Sequence, residues 1–351
     1  RLWREDSPLL LRPRAIPGMW RWGLRFLAAS RAAPWWRATE ANLRLGLYSL
    51  QVLRDLRREL RLDYPHLDTG TLKVFRAAEA FGDSATLARS LAPLGLRHVE
   101  LTPDEAVALE PALASAAHEL VGAIHYPDDG SGDAHLFACV LEREAAKSGV
   151  QFRYGVTVTG FRRGQDGVAA VTTTGGEFTA DAYIVAAASA SPELVAPLGL
   201  KLPIYPVKGY SATLQLPQTQ TLSVPLVDFE QKLVVTPLGD RLRIAGTAEF
   251  AGFDARPNPR RSAHLVQQAA RLIPAISAAP EVQHWSGFRP MTADGPPLLG
   301  ATPCANLFLN AGHGPLGWTL CAGSSRAVAD LVAGRRPEID LTAYSLMRFG
   351  R

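Results

Sequence analysis

Residues 306–324, NLFLNAGHGPLGWTLCAGS, place an alternating apolar run, a cluster of three glycines and a second apolar run side by side. Asn306–Asn310 reads as a strand, Gly312-His313-Gly314-Pro315-Leu316-Gly317 as a loop, and Trp318–Ala333 as a helix stopped by Gly334. A loop of this kind aims backbone N–H groups, at the positive end of a helix, toward an electron-rich ligand edge. It also fits the G-x-G-x-x-G pattern of pyrophosphate loops. That pattern demands a second strand carrying an acid about twenty residues further on. The residues that follow hold the helix and a tail and no convincing strand, which leaves a ligand-facing loop or a plain tight turn.

Around this loop lies the longest stretch free of Asp, Glu, Lys and Arg, Gly295–Ser325. Its length raises the question of a membrane span, but Pro296, Pro297, Pro303 and Pro315 and six glycines would break such a helix. An uncharged stretch that does not span must be buried against something. Just upstream, GFRPMTADG (287–295) sets Arg289 at a strand end. Arginine suits bidentate capture of a carboxylate, although one Arg among many is by default a surface residue.

Farther out the hydrophobic period changes repeatedly. The first sixty residues read as helices, with Leu43, Leu47, Leu50, Leu53 and Leu60 near one face of Asn42–Leu62. A strand follows at Thr71–Arg76, a helix at Ala78–Leu94, a short helix capped by Thr102, and a strand at His118–Tyr126. A helix from Asp133 to Lys147 carries Leu136, Val140, Leu141 and Ala145 as its expected buried stripe. Strands are expected at Gln151–Phe161 and Val168–Thr174, and the continuous apolar run Ala182–Ala188 predicts a strand buried on both faces, as in a parallel sheet. Residues 203–250 are strands joined by short turns, hence antiparallel. Alternation of α/β and antiparallel segments predicts two interleaved, discontinuous domains.

The 351 residues suggest about two domains, and 47% apolar with 20% charged residues excludes a disordered or fibrous chain. The first 61 residues hold thirteen arginines against five acids, and five of the seven tryptophans: Trp3, Trp20, Trp22, Trp35 and Trp36. Such a segment reads as a membrane-surface or nucleic-acid face, or more plainly as a solvated helical face. Three cysteines without CxxC spacing argue against a disulfide framework and a zinc thiolate site. Asp128–Asp133 imitates a calcium loop, but its twelfth position is Cys139, so no metal is expected and Asp133 reads as a helix N-cap. No G-x-S-x-G or H-E-x-x-H occurs, and nucleophilic catalysis has no candidate residue.

Taken together, PDDGSGDAHLF (127–137), PVKGYSATL (206–214), GDRLRIAGTAEFAGFD (239–254), HWSGFRPMTADGPPLLG (284–300) and the block from Asn306 resemble the D-amino acid dehydrogenases. These belong to the FAD-dependent D-amino acid oxidase and glycine oxidase superfamily. The resemblance runs from about Leu24 to the end. It implies an FAD domain interleaved with an antiparallel substrate domain: 129–202 and 289–351 for the flavin, with 1–67 a helical segment of that domain or of its edge, and 68–128 and 203–288 for the substrate. It implies Arg289 as the carboxylate-binding residue, and His313, Gly314, Pro315, Leu316, Gly317, Trp318 and Thr319 against the flavin ring. Val158 matches a backbone contact to the cofactor, and Ala188 stands where the family usually has Gly.

The implied reaction is oxidation of a D-amino acid to a 2-oxo acid and ammonia, with electrons passed to a respiratory acceptor such as a quinone. Oxidation of glycine, sarcosine or a D-hydroxyproline-type imino acid is the alternative within the same chemistry; a non-catalytic remnant, or one half of a split flavoprotein, is the alternative of another class. The family's opening strand, G-x-G-x-x-G and helix for the ADP half of FAD have no counterpart here, and Arg1 is not Met. The expectation is that this unit lies outside the given chain. The expected location is cytoplasmic, peripheral on the inner membrane, with no nucleic-acid partner.

Overall fold

Alternation along Tyr210, Ala212 and Leu214, and along Leu233, Val235, Leu242 and Ile244, buries one face of a large antiparallel sheet. A computed structural model describes residues 3–165, 167–215, 222–279 and 281–350. The chain divides into two units: Arg1–Ala15, Asp63–Val140 and Lys208–Phe288 form the first, and Ile16–Leu62, Leu141–Val207 and Arg289–Arg351 the second.

The large sheet, most of whose residues belong to the first unit, runs in the order Val282–Thr292, Ile204–Gln215, Arg241–Phe250, Leu233–Leu238, Leu226–Asp228, Thr71–Phe75, Gly122–Tyr126, Val99–Leu101. The residues of 203–250 pair antiparallel with one another, whereas Leu226–Asp228 meets Thr71–Phe75 in parallel. Helix Pro259–Leu272 closes the core with Leu265, Ala269 and Leu272, each buried. Thr102 caps Pro103–Leu109 in a reciprocal capping box with Glu105, and Asp133 Oδ1 accepts from the amides of His135 and Leu136 at the start of Ala134–Lys147. Phe137, rather than the four expected residues, is the buried side chain of that helix.

Residues 1–15 depart from the expected helical flavin segment. Strand Leu9–Leu11 pairs in parallel with Ala248–Phe250 because a buried polar cluster holds it there. Glu249 accepts from Arg12 Nε at 2.7 Å and from the Tyr210 hydroxyl, and Lys208 Nζ lies 3.4 Å away. Burial opposes charge on Glu249, but the hydrogen bonds from Tyr210 and Arg12 outweigh it and its pKa is lowered. Residues 63–67 and 129–140 likewise fall in the first unit, since His66–Leu67 pairs with Ser131–Gly132.

The second unit is built on a three-stranded sheet. Tyr183–Val185 pairs in parallel with Leu307–Ala311, which pairs antiparallel with Leu298–Ala301. The expectation of burial on both faces fails at Ile184, which is exposed. A separate sheet comprises Val158–Arg163, Val168–Thr173 and Gly176–Phe178, so the expected strand from Gln151 starts only at Val158. Helix Ala32–Leu60 packs along helix Gly317–Val332 through Ala41, Leu45 and Ser49, not through the expected leucine stripe. The axes approach closely: a Cβ on Gly323 would stand 2.8 Å from Ser49 Cα. Tyr344 closes the seam by donating its hydroxyl to Ala41 O at 2.6 Å.

Candidate functional site

Two turns leave the same end of the parallel pair, because Val185 stands beside Leu309 in register. In open α/β sheets the carboxyl ends of parallel strands are where ligands bind. One turn leads from Tyr183–Val185 through Ala188 into the short helix Ser191–Val195; the other leads from Leu307–Ala311 through Gly312 into helix Gly317–Val332.

Gly312 sits at φ 81°. A Cβ there would stand 2.6 Å from Thr292 Cγ2 and 3.3 Å from Ile204 Cδ1, so both conformation and space demand glycine. Gly314 follows at φ 56°. At Gly317 nothing lies within 4 Å of a would-be Cβ, and no side chain caps the helix. The first turn therefore presents backbone donors and the positive end of the helix to open space.

His313 forms an antiparallel bridge with Met291, two residues beyond Arg289 on strand Val282–Thr292. The sequence-marked arginine and glycine loop are thus joined through the backbone. Trp22 adds a second fastening, donating Nε1–H to Met291 O at 2.9 Å while its ring packs on Tyr205. Thr292 Oγ1 donates to Pro296 O and accepts from the Gly295 amide, fixing the bend after the strand. Arg289 is partly buried, and loss of hydration lowers its pKa from the usual guanidinium value. A poorly hydrated cation gains most from an anionic partner able to accept two hydrogen bonds.

Burial pushes the His313 pKa down to about 4, so the ring is neutral at pH 7. Its Nε2 lies 3.0 Å from Ser324 Oγ, which itself donates to Cys321 O. The imidazole is committed to the helix interior, which leaves the backbone to face the loop's open side.

Ala188 occupies the other turn at φ 48°, with its methyl exposed. The left-handed backbone is a physical reason for a glycine at this position. Beside it the hydroxyls of Ser189 and Ser191 are buried without a hydrogen-bonding partner among the described residues, as is Oδ1 of Asn310. The ASAS run signals a small-residue turn, but sequence reading missed these groups because only the fold buries them at the end of the parallel pair. Val158 opens its strand, exposed, and that strand packs against helix Ser191–Val195, which places Val158 on an element adjoining the Ala188 turn. Among the described residues no cluster of three His, Cys, Asp or Glu could hold a metal.

The family of FAD dependent oxidoreductases matches residues 14–331. The chain belongs to this family. A D-amino acid dehydrogenase of Paramagnetospirillum magneticum is 46% identical over 99% of this chain and 83% of its own length, and one of Dechloromonas aromatica is 43% identical over 96% and 82%. Among solved structures, glycine oxidase from Geobacillus kaustophilus superposes with TM-score 0.81 at 32% identity, covering 87% of this chain and 82% of that one. L-proline dehydrogenase from P. horikoshii reaches the same TM-score of 0.81 at 20% identity, a likeness of fold. The site suits the family's cofactor: FAD is a large, hydrogen-bonding ligand, and here unpartnered buried polar atoms, a glycine-lined loop and an uncapped helix start share one end of a parallel pair.

Proposed function

We propose that this enzyme oxidatively deaminates D-amino acids to 2-oxo acids and ammonia, with Arg289 holding the substrate carboxylate. The observation that carries this reading is the backbone bridge between Met291 and His313, which sets the desolvated Arg289 strand against the glycine loop. In this reading bound FAD supplies the hydride acceptor for the substrate α-carbon, and water hydrolyses the released imino acid. The backbone N–H groups of Gly314, Gly317, Trp318 and Thr319, with the helix dipole, would stabilise negative charge on the reduced cofactor; Pro315 has no N–H, and that of Leu316 is given to His313 O. His313 contributes its backbone, since its ring is neutral and tied to Ser324. Val158, through its backbone, and Ala188 would also hold the cofactor. No protein general base is required; the chain's share of catalysis is orientation.

The match to glycine oxidase supports a second reading, in which glycine, sarcosine or a D-hydroxyproline-type imino acid is oxidised. Arg289 would serve either reading, because these substrates share the carboxylate. Electrons pass on to a respiratory acceptor such as a quinone, and the chain works peripherally at the cytoplasmic face of the inner membrane. No described helix is long and apolar enough to cross a bilayer.

Steady-state kinetics with D-alanine, L-alanine, glycine and sarcosine test the assignment. Arg289→Ala should lower kcat/KM for D-alanine by roughly 100-fold or more, mainly through KM, as expected for two charged hydrogen bonds. Unchanged KM and turnover would remove Arg289 from the site, and glycine or sarcosine preferred over D-alanine would favour the second reading.

A further inference from the structure

Helix Ile16–Ala29 is amphipathic the wrong way round for a helix that packs on a core. Ile16, Trp20, Leu24 and Leu27 fall at i, i+4, i+8 and i+11, one stripe along the helix. They are 42%, 53%, 61% and 66% exposed. The single buried residue of the helix, Trp22, lies on the opposite side, pinned to Met291 O. Roll about the helix axis is therefore fixed from inside the unit, with the apolar stripe turned outward. Trp35, in the next helix, is also exposed.

Charge narrows the choice of partner. Residues 16–39 contain Arg21, Arg25, Arg31 and Arg37 and no Asp or Glu. All four arginines are exposed, and none forms an ion pair among the described residues. An exposed apolar stripe bearing tryptophan and flanked by uncompensated arginines complements an anionic lipid surface: the stripe enters the boundary of the acyl chains, indole rings favour the headgroup level, and guanidinium groups meet lipid phosphates. At 14 residues the helix is too short to span and suited to lie in the interface.

We infer that Ile16–Ala29 is an in-plane docking helix, seated on anionic phospholipid through Ile16, Trp20, Leu24 and Leu27, with Arg21 at the edge of that stripe and Arg31 just past the end of the helix, whereas Arg25 packs on Phe349. This deepens the proposed peripheral membrane location by naming the surface. Flotation of the full chain with phosphatidylcholine vesicles, alone or with phosphatidylglycerol, tests it without any turnover, so failure of the substrate assignment would leave the result intact. Binding is expected to the anionic vesicles, to fall as salt is raised, and to weaken about tenfold or more in Leu24→Glu/Leu27→Glu and in Arg21→Glu/Arg31→Glu. The altered residues are exposed and Trp22 is retained, so unchanged thermal melting should accompany the loss. Absence of binding at low salt, equal binding to both vesicle types, or unaltered binding by a folded Leu24→Glu/Leu27→Glu variant overturns the inference. Lipid-free dimerisation abolished by that variant also overturns it, by making a second copy the occupant.

Discussion

The two turns at the end of the parallel pair solve one steric problem in opposite ways. After Leu307–Ala311 the chain enters the left-handed region on glycines, Gly312 and Gly314; after Tyr183–Val185 it does so on an alanine, Ala188. The glycine turn is crowded, with Thr292 and Ile204 against Gly312, and it carries a buried titratable ring. The alanine turn has no protein side chain over its methyl and holds serine hydroxyls instead. Protein atoms thus leave the strained alanine its methyl, and glycine is obligatory where a left-handed backbone and crowding by the chain's own side chains coincide.

The hardest test of this contrast is Gly312→Ala. Left-handed backbone and the contact with Thr292 together should cost about 2–5 kcal/mol, with loss of bound flavin, as read by chemical denaturation and the visible spectrum. A loss below about 1 kcal/mol would mean that Thr292 and Ile204 yield, and the two turns would then be equivalent.

Acidification should affect the glycine turn alone. The His313 pKa is lowered in the folded chain to about 4 from 6.5, so the unfolded chain binds more protons between these values. Its contribution to stability is complete above about pH 6.5 and is lost as pH falls toward 4, at most about 3 kcal/mol in all. The midpoint of denaturation, followed across that window, should fall less steeply in His313→Gln than in the parent. Equal slopes would place the pH sensitivity elsewhere.

The smallest effect belongs to Ala188→Gly. Relief of the left-handed alanine, partly offset by greater freedom of the unfolded chain, should stabilise by about 0.5–1 kcal/mol. A stability unchanged or lowered would show that the open turn carries no strain.

Much of the antiparallel unit was legible in the chain, because period-two alternation and short turns are local signals. Asp133 and Thr102 could be read as caps for the same reason. The long helix Ala32–Leu60 misled: its leucines attract the eye, yet the seam is made by Ala41, Leu45 and Ser49, where small residues let Gly323 close in. Strand Leu9–Leu11 was hidden among helical segments, since its place depends on Arg12 finding Glu249 more than two hundred residues away.

By itself the sequence determined the glycine loop, the helix that follows it and the marked position of Arg289, all within a short span of chain where spacing carries the information. It also showed that Ala188 replaces the glycine its resemblance implies. Tertiary structure alone decided that Met291 bridges to His313, that Val185 stands beside Leu309 so that both turns leave one end of the pair, and that the apolar stripe of Ile16–Ala29 faces outward. Periodicity states which residues share a face, but which way that face points depends on contacts with distant residues, here Trp22 on Met291.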